Sequence, residues 1–191
     1  MYKYIKKFLD FIFSLILIII LLVPMIIISI LILVIDRQNF IFKQDRTGLN
    51  GKNFKILKFR TMKKGKPTGL GKKIRRLSLD ELPQIFNILK GDMSFIGPRP
   101  WIPEYYENMN KKQKRRVSVL PGLTGLAQVS GRNDIDVFKK IDYDIEYVDN
   151  FSFKQDMSII FKTICVIFKK NSDISEEGIN REIKELEKQK N

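Results

Sequence analysis

The strongest constraint on this chain is a run of 25 residues without a charge, Phe11 to Ile35, with Pro24 near its middle. A bilayer hydrocarbon core is about 30 Å thick and a helix rises about 1.5 Å per residue, so the run can span a membrane with some tilt. It is too long for the apolar region of a signal peptide, and no small-residue cleavage site follows it. One transmembrane helix is the plain reading, and two features oppose it. Proline removes an amide donor and its ring clashes with the preceding turn, which kinks or breaks a helix. The arms on either side hold 13 and 11 residues, roughly 20 and 16 Å of helix, each too short to cross alone. Both flanks are also basic. Lys3, Lys6 and Lys7 precede the run with only Asp10 against them, and residues 36 to 66 hold ten Lys or Arg and two Asp. The positive-inside rule places such flanks on the cytoplasmic side, here both of them. A helix that enters, breaks at Pro24 and returns satisfies both ends, provided the freed backbone groups find partners. Of the two readings, the re-entrant hairpin is favoured.

The remaining chemistry is bounded by composition. The chain has 191 residues, a formal net charge of +14 and no histidine. That excludes Ser-His-Asp and Cys-His nucleophile systems, histidine metal sites and histidine acid–base catalysis. Its one cysteine, Cys165, allows no intramolecular disulfide and no cysteine-cluster metal site. In its apolar stretch, Cys165 is expected to be a buried small hydrophobe. Carboxylates, Lys, Arg, hydroxyls, backbone amides and a hard metal remain.

Past the apolar run, residues 41 to 62 alternate apolar and polar around a Gly/Asn turn at 48 to 51, which reads as a strand hairpin. Residues 63 to 72 read as a basic loop. A helical pattern runs from Ile74 to Lys90 with Gly91 as its C-cap. A tight turn follows at 97 to 100, then a polar helix over 104 to 116, a glycine-punctuated loop over 121 to 133 and an amphipathic helix over 134 to 149. Residues 157 to 168 are apolar almost all round; they serve either as a core helix or as one lying flat on a membrane. From Glu176 the chain reads as a charged helix or frayed end.

The densest chemical signal is RRLSLDELPQ, residues 75 to 84. Its plain reading is local: Ser78 and Glu81 fit a capping box, or Asp80 is an N-cap with Pro83 in the first turn. Its functional reading is chemical. Asp80 and Glu81 can hold Mg²⁺ together with phosphate oxygens, and a carboxylate can attack phosphorus covalently. Arg75 and Arg76 precede the pair and would screen the repulsion between anions. Arg99, in Gly97-Pro98-Arg99-Pro100, and Arg132, in Gly131-Arg132-Asn133, sit in tight turns suited to a preorganised phosphate fork, or are ordinary loop arginines. Lys58 and Arg60 are spaced to share one strand face. Trp101 is expected to serve packing or an interface.

The strings KFRTM (58 to 62), RRLSLDELPQ (75 to 84), LKGDMSFIGPRP (89 to 100) and RRVSVLPGLTGLAQVSGRN (115 to 133) carry a resemblance. From about residue 1 to about 180 the chain closely resembles the small monotopic phosphoglycosyl transferases, the bacterial sugar transferases. The resemblance implies transfer of a sugar-1-phosphate from a UDP-sugar to polyprenyl (undecaprenyl) phosphate with release of UMP, the first membrane step of a surface glycan such as capsule or O-antigen. It implies that Asp80 is the nucleophile of a covalent phosphosugar intermediate and that Glu81 is tied to a Mg²⁺ site shared with Asp80. Arg75, Arg99 and Arg132 are implied in binding phosphate or nucleotide, and Lys58, Arg60 and Pro100 join them as substrate-binding candidates. It also implies a re-entrant N-terminus with its break at Pro24. Two departures stand out. Val23 precedes Pro24 where the family commonly has serine, so the break needs other support, and the 63 to 72 loop is short. The chain as given also lacks the multi-helix membrane region of larger relatives, so a minimal catalytic unit is expected.

The expected fold is mainly α with a small β-hairpin. A re-entrant membrane anchor over 1–38 precedes a compact cytosolic α/β catalytic domain with interfacial amphipathic helices over 39–180 and a charged tail over 181–191. The expected place is the cytoplasmic face of a bacterial inner membrane, with UDP-sugar, polyprenyl phosphate and downstream glycosyltransferases as partners. Two other classes fit parts of the sequence. A membrane-tethered nucleic-acid binder would explain the +14 charge, but the basic residues lack a recognition-helix or RNP-type pattern, and no nucleic-acid partner is expected. A scaffold for a glycan-assembly complex would release no UMP.

Overall fold

A computed structural model of the chain describes residues 1–131, 135–167 and 176–190. Mostly helical, with three two-stranded sheets among the described residues, they cluster into two units. One combines Met1 and residues 3–44 with 55–91; the other combines Tyr2 and residues 45–54 with the described residues from 92 onward. The apolar segment is therefore not a separate 1–38 domain but part of the first unit, because one of its faces packs there.

In that unit, α1 (Tyr2–Leu31) runs as one helix through Pro24 and widens into a π turn over Ile32–Asp36. The expected helical break at Pro24 is thus not made. Proline costs the Ile20 carbonyl its helical donor, but the bonds on both sides persist along an uninterrupted aliphatic sequence. Neither serine hydroxyl serves Ile20: Ser14 donates to the Phe11 carbonyl and Ser29 to that of Met25, each at 2.8 Å. Met25, Ile28 and Ile32 share one face and pack with Phe59 and Ile74, flanked by Leu21, Leu70 and Leu82. At the other end of the helix the Lys7 side chain passes beside Gly91. Lys7 and the Met25–Ile32 face of the helix thus lie on the first unit, Tyr2 at its start clusters with the second, and Ile19, Ile20, Val23 and Val34 are more than 60% exposed.

The exit from α1 is pinned. Thr68 Oγ1 donates to Asp36 Oδ2 at 2.7 Å and Lys63 Nζ donates to the Asp36 carbonyl at 3.0 Å. The chain then forms β1 (Ile41–Thr47) and β2 (Asn53–Phe59), paired around a turn at Leu49–Gly51 where Asn50 and Gly51 take left-handed backbone. This is the expected hairpin. The expected 63 to 72 loop is more ordered than its composition suggests: β3 (Met62–Lys63) pairs antiparallel with β4 (Lys66–Pro67), and α2 (Gly69–Arg76) follows. Thr68 caps α2 by accepting from the Gly71 amide at 2.8 Å. A Cβ on Gly71 would fall 2.0 Å from the Thr61 carbonyl oxygen, so this close approach requires glycine.

The helix expected over 74 to 90 is interrupted. After α2 ends at Arg76, Ser78 takes left-handed backbone (φ 55°), a single 3₁₀ turn covers Leu79–Glu81, and α3 (Gln84–Lys90) begins after Pro83. The break falls at Ser78, whose left-handed backbone no right-handed helix continues through, and Pro83 then stands at the start of α3, where its missing amide costs little. Gly91 ends α3 at φ 84°, as expected of a C-cap.

The second unit is built on β5 (Ser94–Ile96) and β6 (Gly122–Thr124), a parallel pair with Ser94 opposite Gly122 and Ile96 opposite Thr124. The elements α4 (Pro103–Glu107), α5 (Leu126–Ser130), α6 (Val137–Asp149), α7 (Phe153–Ile167) and α8 (Glu176–Lys190) complete it. The polar helix expected over 104 to 116 is only the short α4 and a later 3₁₀ turn, and the expected 121 to 133 loop contains β6 and α5. Ile96, Leu126, Tyr147 and Ile159 form one core; Tyr105, Met109, Val137, Ile141, Ile145 and Leu186 form another.

Two expectations change here. The 181 to 191 stretch is not merely a charged tail. Leu186 is fully buried, and Glu182 accepts from Tyr105 Oη at 2.6 Å and from Lys140 Nζ at 2.9 Å. Ile179, Ile183 and Leu186 recur at helical spacing and give α8 an apolar face to dock. In α7, Ile159 is core while Phe153, Phe161 and Ile164 are exposed, so the segment has a buried face and a free apolar one. Cys165 is on the exposed side, not buried as expected.

Candidate active site

Three elements of the first unit meet around one carboxylate. β2 supplies Lys58, α2 supplies Arg75, and the 3₁₀ turn supplies Asp80 and Glu81. Lys58 Nζ donates to Glu81 Oε1 at 2.8 Å. Asp80 is 8% exposed. Burial pushes its carboxyl above the ordinary carboxylate range; Lys58 opposes this, Glu81 adds to it, and Arg75 and the Asp80 amide oppose it.

The local capping readings are not what the structure contains. Ser78 makes no side-chain capping bond, and Pro83, not Asp80, precedes α3. The acidic pair is therefore not occupied in starting a helix. What holds the turn in place is Asn87. Its Oδ1 accepts from the Leu57 amide at 2.9 Å and its Nδ2 donates to the Lys55 carbonyl at 2.8 Å, so the carboxamide docks α3 on β2 as a strand edge would.

Arg60 leaves the site. Its guanidinium donates to the carbonyls of Asn39 at 3.0 Å and Ile41 at 3.2 Å, closing the base of the hairpin. Asp80 and Glu81 are the two oxygen donors that could hold a hard cation there; no group of three or more Asp, Glu, Cys or His able to hold a metal occurs among the described residues. A magnesium ion there would complete its coordination with substrate phosphates and water, the arrangement it favours.

In the second unit, Arg99 and Pro100 lie on the turn that follows β5. Arg116 anchors that turn. Its guanidinium donates to the Arg99 carbonyl at 2.7 Å and to Asp144 Oδ2 at 2.6 and 2.9 Å, and stacks 4.0 Å from the Trp101 ring centroid. Trp101 is thus a packing residue, as expected. Arg116 and Asp144 are both 2% exposed or less. Burial raises the Asp144 carboxyl and the Arg116 guanidinium opposes it. A shallow cleft lies beside Arg99, lined also by Thr47, Gly48, Pro98 and Pro121. Arg132 lies outside the described residues.

Sequence reasoning missed Asn87 and the Arg116–Asp144 pair. Each left a signal: Asn87 lies between the apolar pairs Ile85-Phe86 and Ile88-Leu89, and Asp144 falls on the apolar stripe Val137, Ile141, Ile145. A polar residue on a core face needs a partner.

Comparison with known proteins gives a consistent result. The profile of the family described as bacterial sugar transferase matches residues 1–170. A sugar transferase of Bacillus subtilis is 48% identical over 64% of this chain and 67% of its own length. A galactosyl transferase of Streptococcus agalactiae is 42% identical over 66% of this chain and 34% of its own length. A UDP-N-acetylgalactosamine-undecaprenyl-phosphate N-acetylgalactosaminephosphotransferase of Aeromonas hydrophila is 35% identical over 87% of this chain and 44% of its own length. The chain thus spans less than half of the last two.

Proposed function

The chain belongs to the bacterial sugar transferase family, and from that premise we propose that it transfers a sugar-1-phosphate from a UDP-sugar to a polyprenyl phosphate, releasing UMP. The name of the Aeromonas relative carries both a UDP-sugar and undecaprenyl phosphate. The observation that carries the reading is Asp80, a buried carboxylate beside the Lys58–Glu81 pair and Arg75 that no helix cap employs.

Asp80 attacks the β-phosphorus of the UDP-sugar. The bond from that phosphorus to the oxygen bridging the two phosphates breaks, and UMP leaves with the oxygen and its electron pair. An oxygen of the polyprenyl phosphate then attacks the same phosphorus, the acyl-phosphate bond breaks, and Asp80 regains its carboxylate as the polyprenyl diphosphosugar forms. Lys58 orients Glu81, and Arg75 offsets the negative charge that accumulates beside Asp80. Asp80 and Glu81 would hold Mg²⁺, which supplies charge neutralisation on the phosphates when bound. Arg99 and Arg132 keep the phosphate-binding role implied by the resemblance.

The same reading places the protein in the cytoplasmic leaflet of a bacterial inner membrane without crossing it. Lys7 and the Met25, Ile28 and Ile32 face of α1 rest on the first unit while a long aliphatic face stays exposed, and the basic flanks belong on one side. The exposed face of α7 gives the second unit its own apolar surface for the interface. A screen of UDP-sugars with undecaprenyl phosphate tests the function. UMP release that requires one of the sugars and produces the lipid-linked phosphosugar is expected; no UMP with any sugar would overturn it.

A further inference from the structure

Between Phe59 and Leu79 the chain carries eight Lys or Arg and no Asp or Glu. The fold brings Lys63, Lys64, Lys66, Lys72, Lys73 and Arg76 of these to the exit of the apolar helix. Leu70 and Ile74 of α2 pack on the Met25, Ile28 and Ile32 face of α1. Thr68 and Lys63 both bond Asp36, the residue that ends the helix. With Leu70, Gly71 and Ile74 turned inward, Lys72, Lys73 and Arg76 of α2 are exposed, and so are Lys64 and Lys66 of the β3–β4 turn. At the end of α1 and in the π turn that follows it, Ile30, Leu33, Val34 and Ile35 are exposed just before Asp36. An aliphatic surface thus ends beside a basic collar, brought there from 27 and 32 positions further along the chain by its bonds to Asp36.

We infer that this collar, the β3–β4 turn and the outer face of α2, is a docking surface for anionic phospholipid headgroups. The inference rests on the membrane-anchor reading of α1. An apolar surface that enters the acyl region places the groups at its rim in the headgroup layer. Cations held there meet the negative surface potential of an anionic leaflet, each with a gain of about 1 kcal/mol, or roughly fivefold in affinity. Ammonium groups on long stems reach headgroup phosphates without a fixed geometry, which suits a fluid surface better than a single small ligand. The collar would hold the first unit, and with it Asp80, against the leaflet that supplies a lipid phosphate.

The full-length protein in nanodiscs of neutral phosphatidylcholine, or of the same lipid with about 30% phosphatidylglycerol, tests this by amine acetylation read residue by residue. Lys64, Lys66, Lys72 and Lys73 are expected to react about threefold or more slowly in the anionic discs, and salt at about 0.5 M is expected to abolish the difference, since it shortens the screening length to a few ångströms. A variant with Lys64→Gln, Lys66→Gln, Lys72→Gln and Lys73→Gln is expected to enter neutral discs as the wild type does. Offered both kinds of disc, wild type should prefer the anionic ones by about tenfold or more and the variant should lose most of that preference. Equal acetylation in the two lipids, or protection by UDP in detergent with no lipid effect, would overturn the inference. Failure of the wild type to enter even neutral discs would instead overturn the anchor reading beneath it.

Discussion

Lys58 and Glu81 come together across 23 residues of sequence, Nζ to Oε1 at 2.8 Å, with both side chains 19% exposed. The contact ties the strand that carries Lys58 to the turn that carries Asp80. It also puts a cation close enough to Asp80 to oppose the effect of its burial.

Removing that cation tests the pair. Lys58→Met keeps much of the stem and deletes the charge. Loss of a charged hydrogen bond of this kind is expected to cost about 1.5–3 kcal/mol of transition-state stabilisation, roughly 10- to 150-fold in kcat/KM for UMP release. Circular dichroism should show the fold retained. An unchanged kcat/KM would mean that Glu81 is positioned without Lys58.

The pH dependence follows from the direction of the Asp80 shift. Burial raises its carboxyl above the ordinary range, Lys58 and Arg75 oppose this, and Glu81 adds to it. A nucleophilic carboxylate must be ionised, so the UMP burst should grow with pH through an acid limb lying above the usual aspartate value of about 3.9. With Lys58→Met the limb should move to still higher pH, because the largest opposing charge is gone. A limb that stays in place would separate Lys58 from the ionisation of Asp80.

Asn87 is a positioning residue whose loss should be felt first in stability. Asn87→Leu leaves the Leu57 amide and the Lys55 carbonyl without this partner. Two lost backbone bonds at a partly buried site are expected to cost about 2–4 kcal/mol, read as a lower midpoint in denaturant. Addition of UDP-sugar should restore part of the midpoint if the active turn still forms.

The Arg116–Asp144 pair separates stability from function in the second unit. Arg116→Met alone strands a buried carboxylate and should destabilise by about 3–5 kcal/mol. Arg116→Met with Asp144→Leu removes both charges and should recover most of that loss. Turnover should stay low in both, because the Arg99 carbonyl has lost its anchor. Recovery of activity along with stability would mean that the Arg99 turn needs no such support.

These residues also show what the sequence could and could not reveal. The hairpin at 41 to 59 was legible because its turn is local: Asn50 and Gly51 accept left-handed backbone cheaply. The acidic pair was legible because Asp80 and Glu81 adjoin each other within a dense string of unusual residues. The parallel pairing of β5 with β6 was not, since three-residue strands 28 positions apart leave no periodic trace. Asn87 looked like any polar residue in a helical pattern; its partners lie 30 and 32 residues away. Continuity through Pro24 is not legible either, because proline penalises one bond, while packing of Met25, Ile28 and Ile32 favours helix beyond it.

Topology is open to direct labelling. In a Cys165→Ser background, single cysteines at Lys3 and Asn39, both exposed, should react with a membrane-impermeant maleimide only in inverted vesicles. Reaction at position 3 in right-side-out cells would mean that α1 crosses the bilayer.

The central claim is covalent catalysis by Asp80, and intact-protein mass spectrometry after rapid mixing with UDP-sugar and Mg²⁺, without polyprenyl phosphate, tests it most directly. The wild type should gain the mass of one phosphosugar as one equivalent of UMP appears, and Asp80→Asn should gain nothing while remaining folded and membrane-bound. UMP that forms only when polyprenyl phosphate is present, with no adduct on rapid quenching, would contradict the account and favour direct transfer in a ternary complex.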